Sequence, residues 1–150
     1  MRSDNDHDRS HALRDAIRKV QQFHEAFGVP VAPRPTADLP ADVRTLRVRL
    51  LAEELAEYEA AAAAGDLVAV ADALTDLAYV LFGTYLAHGL QDVAEELFAE
   101  VHRSNMSKLD ENGQSIHRSD GKVLKSSLFS EPDLKTILER FTGLQSEEAS

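Results

Sequence analysis

The chain contains no cysteine and no tryptophan. Without a thiol there is no disulfide framework, no thiolate metal site and no cysteine nucleophile. Aromatic residues make up only 6% of the composition, so any interior must be filled largely by aliphatic side chains. Proline is scarce as well: Pro30, Pro33, Pro35 and Pro40 cluster in one stretch and Pro132 stands alone, which leaves long helices unobstructed elsewhere. No uninterrupted apolar run approaches the roughly 18 residues of a membrane-spanning helix, so a soluble chain with no membrane partner is expected. The polar start, Met1-Arg2-Ser3-Asp4-Asn5-Asp6-His7-Asp8, lacks both the apolar core of a secretory signal and the Arg-rich character of a transit peptide. A cytoplasmic location is the expectation.

Basic residues are missing where acids are densest. From Leu50 to Glu100 there are eleven carboxylates and no Lys or Arg, within a chain whose net charge is −10 from 16 basic and 26 acidic residues. That sign opposes nucleic acid as a partner. Residues 101–126 differ, carrying Arg103, Lys108, Arg118, Lys122 and Lys125 against Asp110, Glu111 and Asp120. One part repels anions and a short later part attracts them.

The 150 residues suit a single domain, and their periodicity predicts helix throughout. After a disordered leader at 1–10, Leu13, Ile17, Val20, Phe23 and Phe27 recur at three- and four-residue spacing, and Gly28 stops that helix. The proline stretch at 29–40 is extended. A second helix covers Ala41 to Ala64, with Leu46, Leu50 or Leu51, Leu55 and Tyr58 inward and Gly65 as its stop. A third runs from Leu67 to His88, and a fourth from Gln91 to Ser107 with Val93, Leu97, Phe98 and Val101 inward. Residues 109–130 are rich in turns, a short last helix begins at Pro132, and 142–150 form a flexible tail. No alternating strand pattern and no internal repeat is present. The reading is an all-α antiparallel bundle of four main helices plus a short C-terminal one. The third helix is apolar nearly all round from Leu77 to Leu86, more than one bundle face can cover, so completion of the bundle by oligomerisation, as a homodimer or homotetramer, is expected.

Chemistry concentrates on the second and third helices. Glu53, Glu54 and Glu57 share one face, because residues three and four apart are helical neighbours. The simpler reading is a solvated acidic surface, with Arg49 one turn earlier forming a routine pair with Glu53. Asp72 and Asp76 are also one turn apart, and Asp is a poor mid-helix residue amid Val70, Ala71, Ala73 and Leu74. A short turn at Gly65 makes the two helices antiparallel neighbours, matching Glu57 with Asp72 and Glu53 with Asp76. Five carboxylates then face one cleft, where some must protonate or a divalent cation must neutralise them. All-oxygen ligands select Mg²⁺, Mn²⁺ or Ca²⁺ over Zn²⁺. Phosphate is the usual further ligand of such a Mg²⁺ site, and the basic segment offers Arg103, Asn105, Lys108, Lys122 and Lys125 to hold it. The plainer alternative for Arg103 and Lys108 is that they complement a helix C-terminus.

These residues resemble the all-α nucleoside triphosphate pyrophosphohydrolases, which include MazG-like proteins, dimeric dUTPases and phosphoribosyl-ATP pyrophosphohydrolase. Their EExxE motif is matched by Glu53, Glu54 and Glu57, and the end of their ExxD motif by Asp76. The similarity spans roughly residues 11–140 or 141 and is greatest to the small MazG-like branch, through Glu100-Val101-His102-Arg103-Ser104-Asn105-Met106-Ser107-Lys108 and Asp120-Gly121-Lys122-Val123-Leu124-Lys125. Where the second motif's first acid is expected this chain has Ala73, and the nearest acid is Asp72. The resemblance implies Mg²⁺-dependent hydrolysis, with Mn²⁺ as a substitute, between the α and β phosphates of a nucleoside triphosphate such as dUTP. It implies that Glu54, Glu57, Asp76 and Asp72 hold the metal, that Glu53 orients or deprotonates the attacking water in a role exchangeable with Glu54, and that the basic residues grip phosphate or base. The contrasting expectation is a non-enzymatic acidic helical protein that binds a basic partner.

Overall fold

The computed structural model describes residues 11–148, with side chains through residue 143. The expected leader at 1–10 and the last two residues of the expected tail lie outside it. Among the described residues there are five helices and one two-stranded ribbon, so the all-α reading holds. The chain divides into two compact units, one ending at Asp92 and one beginning at Val93.

The first unit holds α1 (Ala12–Phe27), α2 (Ala41–Ala64) and α3 (Leu67–Ala87). Helix α1 buries Ile17 and Val20 and ends where Gly28 turns left-handed and donates its N–H to His24 O. The proline stretch then runs extended along the C-terminal end of α3. Ala32 N donates to Leu86 O at 3.0 Å and Thr36 N to His88 O at 2.9 Å, so the strap satisfies carbonyls that the helix end leaves orphaned. The turn between α2 and α3 is equally local. Gly65 adopts φ +68°, a conformation that costs glycine nothing, while Asp66 accepts from Ala69 N at 3.1 Å and so caps α3. Two residues thus fold α3 back along α2.

The faces these helices present differ from expectation. On α2 the buried residues are Arg47 and Ala61, with Leu50, Leu51, Glu54 and Tyr58 half-buried, whereas Leu46 and Leu55, expected inward, are exposed. Helix α2 has apolar residues on more than one face, so spacing alone does not select the face that meets α3. Arg47 makes the selection: it donates through Nε to Thr84 Oγ1 at 3.2 Å and through Nη2 to Val80 O at 2.7 Å. Phe23 and Phe27 of α1 are likewise exposed, and pack on each other with ring centroids 4.4 Å apart.

Helix α3 meets both other helices of its unit through small buried residues, Ala73, Gly83 and Ala87, together with Leu86. The absence of a long apolar run is misleading here. Over its 21 residues α3 is long and apolar enough by length and composition to cross a membrane, because Asp72 and Asp76 interrupt the run without lowering its mean hydropathy enough. An Asp at a bilayer centre costs about 3 kcal/mol, so two of them favour protein neighbours as the cover for this helix.

The second unit holds α4 (Ala94–Met106), β1 (Ile116–His117), β2 (Val123–Leu124) and α5 (Leu134–Glu148). Val93 and Leu97 are buried as expected, but Phe98 and Val101 are exposed. The ribbon, pairing Ile116 with Leu124 and His117 with Val123, was not anticipated, since two residues are too few to show alternation. Helix α5 occupies 142–148, read from sequence as tail.

One buried polar cluster ties the first unit together. His24 and Arg47 are 3% and 7% exposed, and both lie against Gly83, where an added Cβ would come within 2.5 Å of Arg47 Nη2 and 2.9 Å of His24 Nε2. Gly83→Ala is therefore expected to destabilise the protein by about 1–3 kcal/mol through overpacking, measured by urea unfolding. His24 Nδ1 lies 3.3 Å from Pro30 O, a carbonyl that can only accept, so Nδ1 carries the proton. Burial lowers the His24 pKa below its ordinary 6.5, the bond to Pro30 opposes this, and the Arg47 charge adds to the lowering. As pH falls, the unfolded chain takes up this proton before the folded one does, so stability is full above about 6.5 and drains as pH falls toward the lower folded value. Melting temperature should decline from pH ~7.5 to ~5, and His24→Gln should flatten the decline.

Candidate active site

The five acidic residues singled out by spacing flank the same hairpin: Glu53, Glu54 and Glu57 on α2, and Asp72 and Asp76 on α3. Four of them face solvent, and Glu54 is half-buried. Its Oε2 is shielded from water and has no hydrogen-bond partner. A buried acceptor left unpaired costs free energy, and this one sits among like charges. Burial first, then the charges of Glu57, Asp76, Asp72 and Glu53 in that order, push the Glu54 pKa up. Glu54 is thus the residue on which the charges of the acids of both helices act.

Glu53 stands apart in one respect. Its carboxylate pairs with Arg49 Nε at 3.7 Å, both side chains well exposed, so the cluster is not free of basic partners. Among the described residues no group of three His, Asp or Glu side chains is drawn together closely enough to hold a metal ion as it stands. Mutual repulsion disfavours tighter convergence of such groups unless a cation offsets it.

Ala73, which stands where the resemblance expects an acid, is 3% exposed. An acid there would project into packed interior, whereas Asp72 is exposed and lines an open concavity of about 610 Å³ with Asp66, Val68, Ala69, Ala71 and Thr75. Thr75 also borders a second hollow, of about 430 Å³, formed by α1 and α3 and lined by Ala12, Asp15, Ala16, Lys19, Val20, Ala78, Tyr79 and Phe82.

In the second unit Lys108, Lys122 and Lys125 line one concavity of about 590 Å³ with Val123 and Leu124. Lys108 donates to Asn105 Oδ1 at 2.8 Å. Lys125 lies 4.2 Å from the centre of the Phe129 ring and 3.5 Å from Glu131 Oε1. Arg103 does not join them. Its guanidinium is spent on Glu100, at 2.9 and 2.8 Å, and on Ser130 Oγ and Glu131 O. The Arg103 bond, reinforced by the Asp133 N–H, brings the Glu100 pKa down to about 2. The reason is local: Glu100 precedes Arg103 by three residues, within helical reach.

Sequence reasoning missed Arg47 and His24, since charged side chains are rarely interior. Gly83 was the available signal: a glycine inside a helix costs roughly 1 kcal/mol relative to alanine and asks what its missing side chain makes room for.

The model of the phosphoribosyl-ATP pyrophosphohydrolase family matches residues 20–105, a span that includes all five carboxylates. No curated protein matches the chain significantly. Because Glu54 is destabilised by its neighbours, Glu54→Gln is expected to raise the melting temperature of the metal-free protein at neutral pH, by more than Glu59→Gln on the same helix. Thermal unfolding in a chelator checks this.

Proposed function

Because the chain belongs to the phosphoribosyl-ATP pyrophosphohydrolase family, within the MazG-like all-α nucleoside triphosphate pyrophosphohydrolases, we propose that it is a Mg²⁺-dependent hydrolase that splits the α–β phosphate bond of a ribo- or deoxynucleoside triphosphate. The observation that carries this is the Glu54 carboxylate, whose shielded Oε2 has no partner while four further acids surround it. An all-oxygen donor set with an unsatisfied, desolvated acceptor fits a hard divalent cation. Glu54, Glu57 and Asp76 would hold it, with Asp72 in the place of the acid missing at Ala73. When bound, Mg²⁺ or Mn²⁺ supplies charge neutralisation at the phosphate oxygens.

The remaining work falls to the chain. Glu53, on the solvent side of the cluster, orients a water toward the α-phosphorus and accepts its proton; Glu54, with its raised pKa, is suited to exchange that role. The attack forms a new P–O bond and releases pyrophosphate, leaving the nucleoside monophosphate. Lys108, Lys122 and Lys125 offer donors suited to phosphate oxygens, with Asn105 beside them. Arg103 has its donors committed and takes a structural part in this reading. Exposed Leu46, Val48, Leu55, Leu74 and Leu81 of the first unit support assembly as a homodimer or homotetramer, since exposed large apolar side chains in number favour an interface.

A panel of ribo- and deoxynucleoside triphosphates with Mg²⁺ or Mn²⁺, analysed by phosphorus NMR, tests the proposal. Monophosphate and pyrophosphate are expected, and Glu54→Ala or Asp76→Ala should lower turnover at least about a hundredfold while leaving the helical circular dichroism intact. Diphosphate with inorganic phosphate would contradict the bond assignment. Undiminished turnover in both variants would contradict the site.

A further inference from the structure

We propose that Arg47 is a positioning residue for the carboxylate site: its buried guanidinium fixes the register of α2 against α3 and so sets where Glu54 and Glu57 stand relative to Asp76 and Asp72. The inference rests on reading those carboxylates as the cation-holding site.

The hydrogen bonds span the helix pair. Arg47, on α2, donates to the Val80 carbonyl at 2.7 Å and to Thr84 Oγ1 at 3.2 Å, and Thr84 Oγ1 itself donates to Val80 O at 2.9 Å. Glu54 lies seven residues after Arg47, about two turns along the same face, and Asp76 lies one turn before Val80 on α3. With residue 47 level with 80–84 in an antiparallel pair, residue 54 falls level with about 75, residue 57 with about 72 and residue 53 with about 76. The clamp therefore sets the register in which the acids of the two helices face one another. The other end of the hairpin is fixed by the Gly65 turn and the Asp66 cap. All five carboxylates sit between these two fixed points, where their repulsion acts to part the helices.

Stability alone does not account for this residue. Arg47 is 7% exposed, and its pKa is lowered by burial with no opposing carboxylate. Taking a guanidinium out of water costs free energy, and here neutral acceptors alone offset it. Gly83 meanwhile leaves the space that the guanidinium fills, at a cost in helix propensity. Both features oppose stability and serve the fixed spacing of α2 and α3.

Arg47→Met, Arg47→Lys and Thr84→Val test the proposal. The chain lacks cysteine, so spin labels at introduced Arg44→Cys and Leu81→Cys, diluted into unlabelled chain, report the distance between α2 and α3 in metal-free protein. Mn²⁺ affinity is read by electron paramagnetic resonance. In Arg47→Met the label distances should lengthen or broaden and the half-saturating Mn²⁺ concentration should rise roughly ten- to hundredfold, while the melting temperature does not fall. Arg47→Lys should recover part of the affinity. A folded Arg47→Met with wild-type label distances, or with Mn²⁺ affinity within about twofold of wild type, overturns the proposal. If Arg47→Met fails to fold, Thr84→Val, which removes one acceptor from the clamp, decides the matter by the same two readings. A wild-type protein that binds Mn²⁺ yet releases no pyrophosphate defeats the hydrolase reading and leaves the clamp supported; one that binds no Mn²⁺ defeats both.

Discussion

Two helices that carry carboxylates toward one another separate unless something holds them. In this chain that restraint is built from very little: a two-residue turn at Gly65-Asp66, and the guanidinium of Arg47 set against Gly83 and bonded to Val80 and Thr84. The interior of the first unit owes its largest fully buried side chains to α1 and α3, in Ile17 and Leu86. Burial first, and then the charges of the acids on both helices, raise the pKa of Glu54. The arrangement that fits the proposed cation is therefore also a destabilising one in its absence.

How much of this was legible depends on whether the signal is local. Helix ends were, because a left-handed glycine acts on its own turn: Gly28 and Gly65 end α1 and α2 where the sequence places them. The acidic face was legible for the same reason, three- and four-residue spacing being a property of one helix. Which face of α2 turns inward was not, since Leu46, Leu50, Leu51 and Leu55 wrap around the helix and a charged residue settled the choice. The partner of Arg103 lay three residues away at Glu100, but a cation near a helix end reads equally as an anion ligand or as half of an ion pair. Only the coordinates, with Ser130 and Glu131 completing its bonds, separate the two.

Helix α3 has to satisfy conflicting demands. It is apolar enough for a bilayer, it carries two acidic side chains on one face, and it leaves Leu67, Val68, Leu74, Tyr79 and Leu81 exposed. The interior takes its small residues and Leu86, and these five large ones stay outward. A helix of this composition gains most from neighbours on every side except the one bearing Asp72 and Asp76, where it gains from water and counter-charge. The proposed assembly of several chains provides the first, and the proposed cation the second.

The exchange of an acid at position 73 for one at position 72 follows from the same balance. Position 73 is buried, so a carboxylate there would add a further desolvated charge to a hairpin that already holds one short of a partner. Moving it by one residue rotates it by about 100° around α3, out of the interior and into the open concavity that Asp72 lines. The acid then keeps its place one turn from Asp76 and sheds most of the desolvation penalty. On the proposed reading, the cation gains a ligand from Asp72 at an open position, and Glu54 is the shielded carboxylate of the five. On the same reading Arg47, two turns away and bonded to Val80 O and Thr84 Oγ1, holds the helices in one register without neutralising that acid itself.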